Sequence, residues 1–217
     1  MNEIIKRAIF GGIYVTILWA CTSLSPISFG LLFFLLGIVA LYEMLKLRKG
    51  KSKIMAYMYV ILPFTLIQLL PYSNGNTYSL ESFDPSIILL LFILTWTFDT
   101  FAFLTGIKLG KNKILPSVSP KKSWEGFIGG LIFCTIAGWI AYDFFSDFFT
   151  LDIKTIIVLS LSLPFTATLG DFIESYYKRK AEVKDSGNII PGHGGILDRM
   201  DAFMVTIPVL YIIINII

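Results

Sequence analysis

Long stretches with almost no charged side chains most restrict what this 217-residue chain can fold into. Only 15% of the residues are charged, whereas soluble domains contain roughly 25%. In lipid, long apolar runs must be helices, so we expect a single all-α domain, a polytopic transmembrane bundle. Seven runs are long enough for a hydrocarbon core that needs about 20 residues, namely 8–24, 27–45, 54–70, 86–106, 126–146, 155–173 and 201–217.

The N-terminal run resembles a secretory signal peptide, because Lys6 and Arg7 precede an apolar stretch. Trp19 is too bulky for the small-residue position that cleavage sites require, and further apolar runs follow. We therefore expect an uncleaved first span. The uncharged Ser25–Pro26 break that follows predicts a tight helical hairpin between the first two spans.

The basic residues predict the orientation in the membrane. Of the 18 basic residues, all except Lys154 lie before the first span or after spans 2, 4 and 6, which is one side of the membrane. The positive-inside rule places that side, with the N-terminus, in the cytoplasm. The net charge of +3 therefore reflects orientation and does not indicate a nucleic-acid partner. Acidic residues mark the opposite side: Glu81, Asp84, Asp143, Asp147 and Asp152.

Asp99 lies within the fourth apolar run, where an ionised carboxylate is costly. Its neighbours in sequence are mostly aromatic and offer no counter-charge. We therefore expect Asp99 to face the bundle interior and to meet a cation, a hydrogen-bond donor or water. A structural pairing with a lysine from a neighbouring helix is the alternative.

Two pairs of acids flank the last cytoplasmic segment. Asp171 and Glu174 lie one turn apart at the expected C-terminal end of span 6, where the helix dipole disfavours negative charge. Asp198 and Asp201 repeat this spacing at the start of span 7. If the two spans approach each other, the four carboxylates form a cluster of hard oxygen ligands, which suits Mg²⁺.

Residues 175–197, between those helices, are hydrophilic and carry Lys178, Arg179 and Lys184. Salt bridges to Lys178 and Arg179 are the structural alternative for the first pair of acids. For the second pair the alternative is helix capping, since acids are favourable at a helix N-terminus.

The only histidine, His193, lies among Gly192, Gly194 and Gly195. Glycines let backbone N–H groups crowd around an anion, so this run predicts a phosphate cradle. An ordinary solvated turn is the alternative.

The segment 119–126 precedes span 5, and its Ser119–Pro120 pair predicts an N-cap followed by the first helical residue. Backbone N–H groups and two lysines would then face an anion at the membrane surface. The positive-inside rule alone also accounts for the lysines, but not for the acid that follows them. The candidate substrate-binding residues here are Ser119, Lys121, Lys122, Ser123 and Glu125.

The 27 positions 175–201 closely resemble the signature of phosphatidate cytidylyltransferases, also called CDP-diacylglycerol synthases. Segments 99–106, 119–126 and 170–174 are similar to secondary motifs of that family, whereas residues 1–90 match it only as apolar spans. We therefore divide the single domain into N-terminal spans (1–90) and catalytic spans (91–217). Tyr177 departs from the pattern, since the family usually has an aliphatic residue or Phe there, and the chain is shorter than many members.

The resemblance implies an integral membrane enzyme that joins CTP to phosphatidate, releasing pyrophosphate and CDP-diacylglycerol for phospholipid synthesis. It also implies Mg²⁺ and leaves open a second cation such as K⁺ and a homodimer. The enzyme would lie in the inner (plasma) membrane with its active site facing the cytoplasm. Two rivals are a cation transporter and a related CTP-dependent transferase acting on another lipid.

The resemblance also implies roles for individual residues, and Asp171 and Asp198 match the family's metal-binding aspartates. The predicted metal ligands are Asp171 and Asp198, with Glu174 and Asp201 in support. The other predicted catalytic residues are Lys178, Arg179, Lys184, His193 and Arg199. The predicted substrate-binding residues are Asp99, Ser119, Lys121, Lys122, Ser123, Glu125, Gly194 and Gly195.

Overall fold

The computed structural model describes residues 3–49, 51–72, 82–149, 151–192 and 194–215. Seven α-helices dominate this part of the chain, which confirms the predicted all-α class. A two-stranded antiparallel hairpin and one 3₁₀ turn, Leu70–Tyr72, complete the regular structure of the same residues. The elements are α1 (Glu3–Leu24), α2 (Pro26–Leu47), α3 (Ile54–Leu66), α4 (Ser86–Leu109), β1 (Lys113–Leu115), β2 (Ser119–Ser123), α5 (Trp124–Phe144), α6 (Ile153–Lys180) and α7 (Leu197–Ile214).

Five of the described helical segments are long and apolar enough to cross a membrane. The seven predicted spans correspond to seven helices, but the apolar part of α1, Ala8–Leu24, is shorter than these five. The first turn of α7 is polar, since it carries Asp198 and Arg199. The five segments are Pro26–Leu47, Ile54–Tyr72, Ser86–Leu109, Trp124–Phe144 and Ile153–Lys180.

The α1–α2 connection is the tight hairpin that the sequence predicts. Ser25 alone separates the two helices, and its Oγ accepts a hydrogen bond from the Ser28 N–H group at 3.1 Å. Pro26 occupies the first helical position, where a missing N–H group has no consequence. Local cap chemistry therefore fixes this turn.

Helix α4 contributes most to the core. Leu90, Leu91 and Phe92 are completely buried, and α4 packs against both α5 and α6. The outer faces of other helices expose large apolar side chains, such as Phe34 on α2 and Ile132 on α5. Exposed apolar surface on this scale is typical of a protein surrounded by lipid.

Two predicted helix boundaries near the site motifs are wrong. Helix α6 continues to Lys180, beyond the predicted end at residue 173, so Asp171 and Glu174 lie inside the helix and the argument from its C-terminal dipole fails. Helix α5 is capped by Ser123, whose Oγ accepts from the Gly126 N–H group at 3.2 Å, and not by Ser119. Ser119 instead pairs with Leu115 in the β-hairpin, which draws the segment into a strand.

Candidate active site

Three carboxylates from α6 and α7 meet at one point. Asp171, Glu174 and Asp201 each place one carboxylate oxygen within 4.8 Å of the others. The approach depends on Gly170, because a Cβ atom there would collide with the backbone carbonyl of Asp201. The condition for the predicted cluster, that spans 6 and 7 approach each other, is therefore met, and three of the four carboxylates are grouped.

Two lysines approach this carboxylate cluster. The Nζ of Lys122, from β2, lies 2.7 Å from Oδ2 of Asp171. The Nζ of Lys178 pairs with Glu174, one turn earlier on α6, and lies 2.7 Å from Oδ1 of Asp198. The predicted alternative of salt bridges therefore describes Lys178. It does not describe Arg179, which is exposed and donates from Nη1 to the Val183 carbonyl.

Asp198 lies beside the cluster and is bound mainly by its own loop. Its Oδ2 accepts from the backbone N–H groups of Ser186 and Gly195, each at 2.8 Å, and from the Ser186 hydroxyl at 3.0 Å. Among the described residues, the carboxylates grouped with Asp171 are those of Glu174 and Asp201, which differs from the predicted Asp171–Asp198 pair. Asp198 is linked to the cluster through Glu174, with which it shares the Lys178 ammonium group.

The glycine run binds the carboxylate of Asp198 through the backbone N–H group of Gly195. The Gly195 N–H group points at Asp198, which differs from the predicted phosphate cradle. Gly194 has a φ of +85°, and a Cβ atom there would lie 2.7 Å from Oδ2 of Asp198, so this position favours glycine. His193, the remaining predicted residue of the run, lies outside the described residues.

A cavity of about 790 Å³ opens between α4, α5, α6 and the hairpin. Its walls combine apolar side chains such as Phe103 and Ile107, both exposed, with polar groups near the cluster. Four of the five residues predicted in segment 119–126 line it, which confirms that the fold brings them together. These residues are Ser119, Lys121, Lys122 and Ser123, with Asp99 and Asp171 on the facing walls.

Glu125, the fifth predicted residue of that segment, does not line the described wall of the cavity. Its carboxylate accepts hydrogen bonds from the backbone N–H groups of Lys111 and Asn112 and from the Asn112 side-chain amide at 2.7 Å. It therefore holds the turn between α4 and β1, and a direct contact with substrate stays a prediction.

Asp99 lies between the large cavity and a second one. It lines both the 790 Å³ cavity and a smaller cavity of about 260 Å³, which Asp201 and Arg199 also line. Asp99 is exposed where it lines these cavities, and Asp171 and Arg199 are among the other ionisable residues of their walls, so it is placed to meet the cation, donor or water that the sequence predicts. Arg199 lines both the 260 Å³ cavity and a third cavity, whose walls are basic.

The third cavity, of about 670 Å³, is polar and predominantly basic. Lys6, Lys184 and Arg199 contribute three cations to it, against the single acid Asp185. The glycine run forms its edge through Gly192 and Gly194. Two of the predicted catalytic residues, Lys184 and Arg199, are thus brought together.

Sequence reasoning missed Glu43, which is 2% exposed and binds the start of α7 from α2. The signal was present, because Glu43 is the only acid in the apolar sequence of α2. An ionisable residue in such a run is functional by default. The same reasoning that selected Asp99 would have selected Glu43.

Comparison with known proteins identifies the family. The model of the cytidylyltransferase family matches residues 76–217. A phosphatidate cytidylyltransferase of Rickettsia bellii is 35% identical over 203 residues, which cover 92% of this chain and 83% of that protein. Those of Staphylococcus haemolyticus and Staphylococcus aureus are 47% and 46% identical over 127 residues, 58% of this chain and 48% of each relative.

The chain thus spans about half the length of the staphylococcal relatives but most of the rickettsial one. The three alignments and the family model agree on the kind of protein, and the matched range 76–217 covers the carboxylates of the cluster and the two lysines that pair with them. The chain belongs to the cytidylyltransferase family.

Proposed function

We propose that this protein is a CTP:phosphatidate cytidylyltransferase, which makes CDP-diacylglycerol and pyrophosphate for phospholipid synthesis. The names of its relatives support this activity. The observation that carries the proposal is the position of the carboxylate cluster. Asp171 lines the 790 Å³ cavity, which has exposed apolar walls. Its partner Asp201 lines the 260 Å³ cavity, which shares Arg199 with the basic 670 Å³ cavity.

The two large cavities fit two different substrates. Phosphatidate suits the 790 Å³ cavity, because Phe103 and Ile107 offer apolar surface for acyl chains while Lys121 and Lys122 offer charge for the phosphate. The triphosphate of CTP suits the basic cavity, where Lys184 and Arg199 lie. The reacting groups of the two substrates would then meet at the 260 Å³ cavity, which Asp99, Asp201 and Arg199 line.

In the proposed reaction, a phosphate oxygen of phosphatidate attacks the α-phosphorus of CTP. The bond from that phosphorus to the β-phosphate oxygen breaks, and pyrophosphate leaves with the electron pair. Positioning and charge neutralisation dominate the catalysis of such transfers. Lys122 would orient the attacking phosphate, while Arg199 and Lys184 would neutralise the departing pyrophosphate.

The residues of the cluster also fit Mg²⁺. Oδ2 of Asp171 and Oε2 of Glu174 are shielded from solvent with a lysine ammonium group as partner, and among the described residues Oε1 of Glu174 is shielded with no hydrogen-bond partner. Carboxylate oxygens are the ligands that Mg²⁺ takes in phosphate-handling sites, where the ion stabilises developing negative charge. We propose that Asp171, Glu174 and Asp201 hold it, with Asp198 beside them as the fourth predicted ligand. A second cation such as K⁺ stays open.

The direct test uses purified protein in detergent with CTP, phosphatidate and Mg²⁺. Pyrophosphate release is expected to depend on phosphatidate, and diacylglycerol or another lipid phosphate in its place is expected to give little product. Equal rates with another lipid acceptor would favour the related transferase, and no release with any acceptor would reject the proposed function.

Removal of the metal is expected to abolish activity. The uncompensated carboxylates of the cluster would repel the phosphates of both substrates, so an excess of EDTA should stop pyrophosphate release and added Mg²⁺ should restore it. The rate is measured over a titration of free Mg²⁺. Full turnover in chelator would contradict the proposed metal, but it would not contradict the proposed substrates.

The basic side of the protein is proposed to face the cytoplasm of the cell's inner (plasma) membrane. Positions Gly50 and Asn74, which the charge pattern suggests as probes, lie outside the described residues, so exposed Lys51 and Asp147 replace them. In a background without Cys21 and Cys134, Lys51→Cys should react with an impermeant maleimide only after the membrane is opened. Asp147→Cys should react in intact cells with a permeable outer barrier. The reverse pattern would invert the proposed orientation.

A further inference from the structure

Among the residues whose burial the structure describes, Glu43 is the most completely buried acid outside the cluster. It lies near the end of α2, its side chain is 2% exposed, and α2 contains no other acid. Burying a carboxylate is costly unless hydrogen bonds compensate it, so its partners indicate its role.

All of its described partners belong to the segment that leads into α7. Oε2 of Glu43 accepts from the Leu197 N–H group at 2.8 Å and from the Ser186 hydroxyl at 3.0 Å, and Oε1 accepts from the Ile196 N–H group at 3.2 Å. Helix α7 begins at Leu197, and within the described residues its N-cap Ile196 supplies no side-chain hydrogen bond. Glu43 therefore supplies from another helix the acceptor that a local cap residue normally provides.

The loop is shaped to admit this carboxylate. A Cβ atom on Gly187 or on Gly195 would collide with the Glu43 side chain. Two glycines of the 186–195 segment are therefore explained by close approach to Glu43, and neither needs a bound phosphate to account for it.

Glu43 and Asp198 contact the same loop groups. The Ser186 hydroxyl lies 3.0 Å from Oε2 of Glu43 and 3.0 Å from Oδ2 of Asp198, and a hydroxyl has one proton to donate. The Gly195 N–H group, which binds Asp198, belongs to the residue that packs on Glu43. Any movement of Glu43 is thus transmitted to Asp198 through two shared residues.

We propose that Glu43 is a positioning residue: it holds Ser186, Gly195 and the first turn of α7 so that Asp198 and Arg199 face the reacting phosphates. The proposal rests on the proposed function for the meaning of that site. It predicts that Glu43 acts on turnover through geometry, without touching either substrate.

The test compares Glu43→Gln, Glu43→Asp and Phe33→Leu. Glutamine keeps the size of the side chain but turns one acceptor into an NH₂ group that faces backbone donors, so we expect kcat to fall at least about tenfold with a smaller change in KM for CTP. Aspartate keeps the charge and both acceptors, so it should recover part of the loss. Phe33→Leu weakens the buried face of the same helix without touching the loop, and its kcat should stay near normal at a comparable loss of melting temperature.

A second measurement does not depend on activity. Lys184 lies in an exposed part of the loop, so limited trypsin digestion there should be faster in Glu43→Gln than in Phe33→Leu. The double variant Glu43→Gln/Ser186→Ala should also lose less kcat than the product of the two single fold-losses, because both changes remove the same hydrogen bond between Ser186 and Glu43.

Each outcome decides a different question. A Glu43→Gln enzyme with a lowered melting temperature but normal kcat and normal cleavage would show that Glu43 is only a structural anchor, and would overturn the positioning role. Faster cleavage with normal kcat would also overturn it. Absence of cytidylyl transfer by the unmodified protein would reject the proposed function instead, and the cleavage assay would still test whether Glu43 holds the loop.

Discussion

Asp171→Asn is expected to lower the rate of CDP-diacylglycerol formation at least about a hundredfold, since a charge interaction that strengthens in the transition state is commonly worth roughly 3 kcal/mol or more. Asparagine keeps the shape of the side chain and removes the charge that would help hold the metal. Asp198→Asn should lose activity to a similar extent, because its carboxylate binds Lys178 and orders the loop.

The competing explanation is that Asp171 only forms an ion pair with Lys122. That pair is partly exposed, with side-chain exposures of 24% and 32%, and such pairs contribute only about 0 to 1 kcal/mol. Asp171→Asn would then retain nearly its full rate. Asp152→Asn is the matched control, since it makes the same change at the far end of α6, where asparagine also caps well. Expression and detergent melting show whether each variant folds.

Gly170→Ala is expected to have the second largest effect. The added methyl group would occupy the position of the Asp201 backbone carbonyl, so α6 and α7 must separate. Overpacking of this kind costs about 1–3 kcal/mol, and a displacement of about 1 Å between catalytic groups can cost a hundredfold in rate. The melting temperature should fall, and the rate should fall further than that loss of stability explains.

Two other glycine substitutions separate these effects. Gly138→Ala collides with the Ser160 side chain of α6, away from the carboxylates, so it should lower the melting temperature with little change in rate. At Gly12 no described atom lies within 4 Å of an added Cβ atom, so Gly12→Ala should be neutral or slightly stabilising. If Gly170→Ala retained full activity, the close approach of α6 and α7 would not be required for function.

Local signals explain which parts of the fold were predictable. The hairpin at Ser25–Pro26 was predicted because its cap and its proline act within one turn of the chain. The shared face of Asp171 and Glu174 followed from helical spacing alone, which holds wherever the helix ends. The same kind of signal was wrong at Ser119, because pairing with Leu115 competed with the cap and favoured a strand.

The amino-acid sequence by itself determined that the chain is a helical membrane protein, since long runs without charge can satisfy their backbone groups in lipid only as helices. It also predicted candidate residues for the chemistry, although it missed Glu43, because ionisable groups in or beside such runs are costly unless they have a role. Only the tertiary structure decided how these groups combine: Asp201 joins Asp171, Lys178 links Glu174 to Asp198, and Glu43 binds a loop that follows it by more than a hundred residues. Such contacts depend on helix packing between segments that are distant in sequence. Glycines such as Gly170 permit this packing because they have no side chain. No local sequence pattern specifies which distant residue will be the partner.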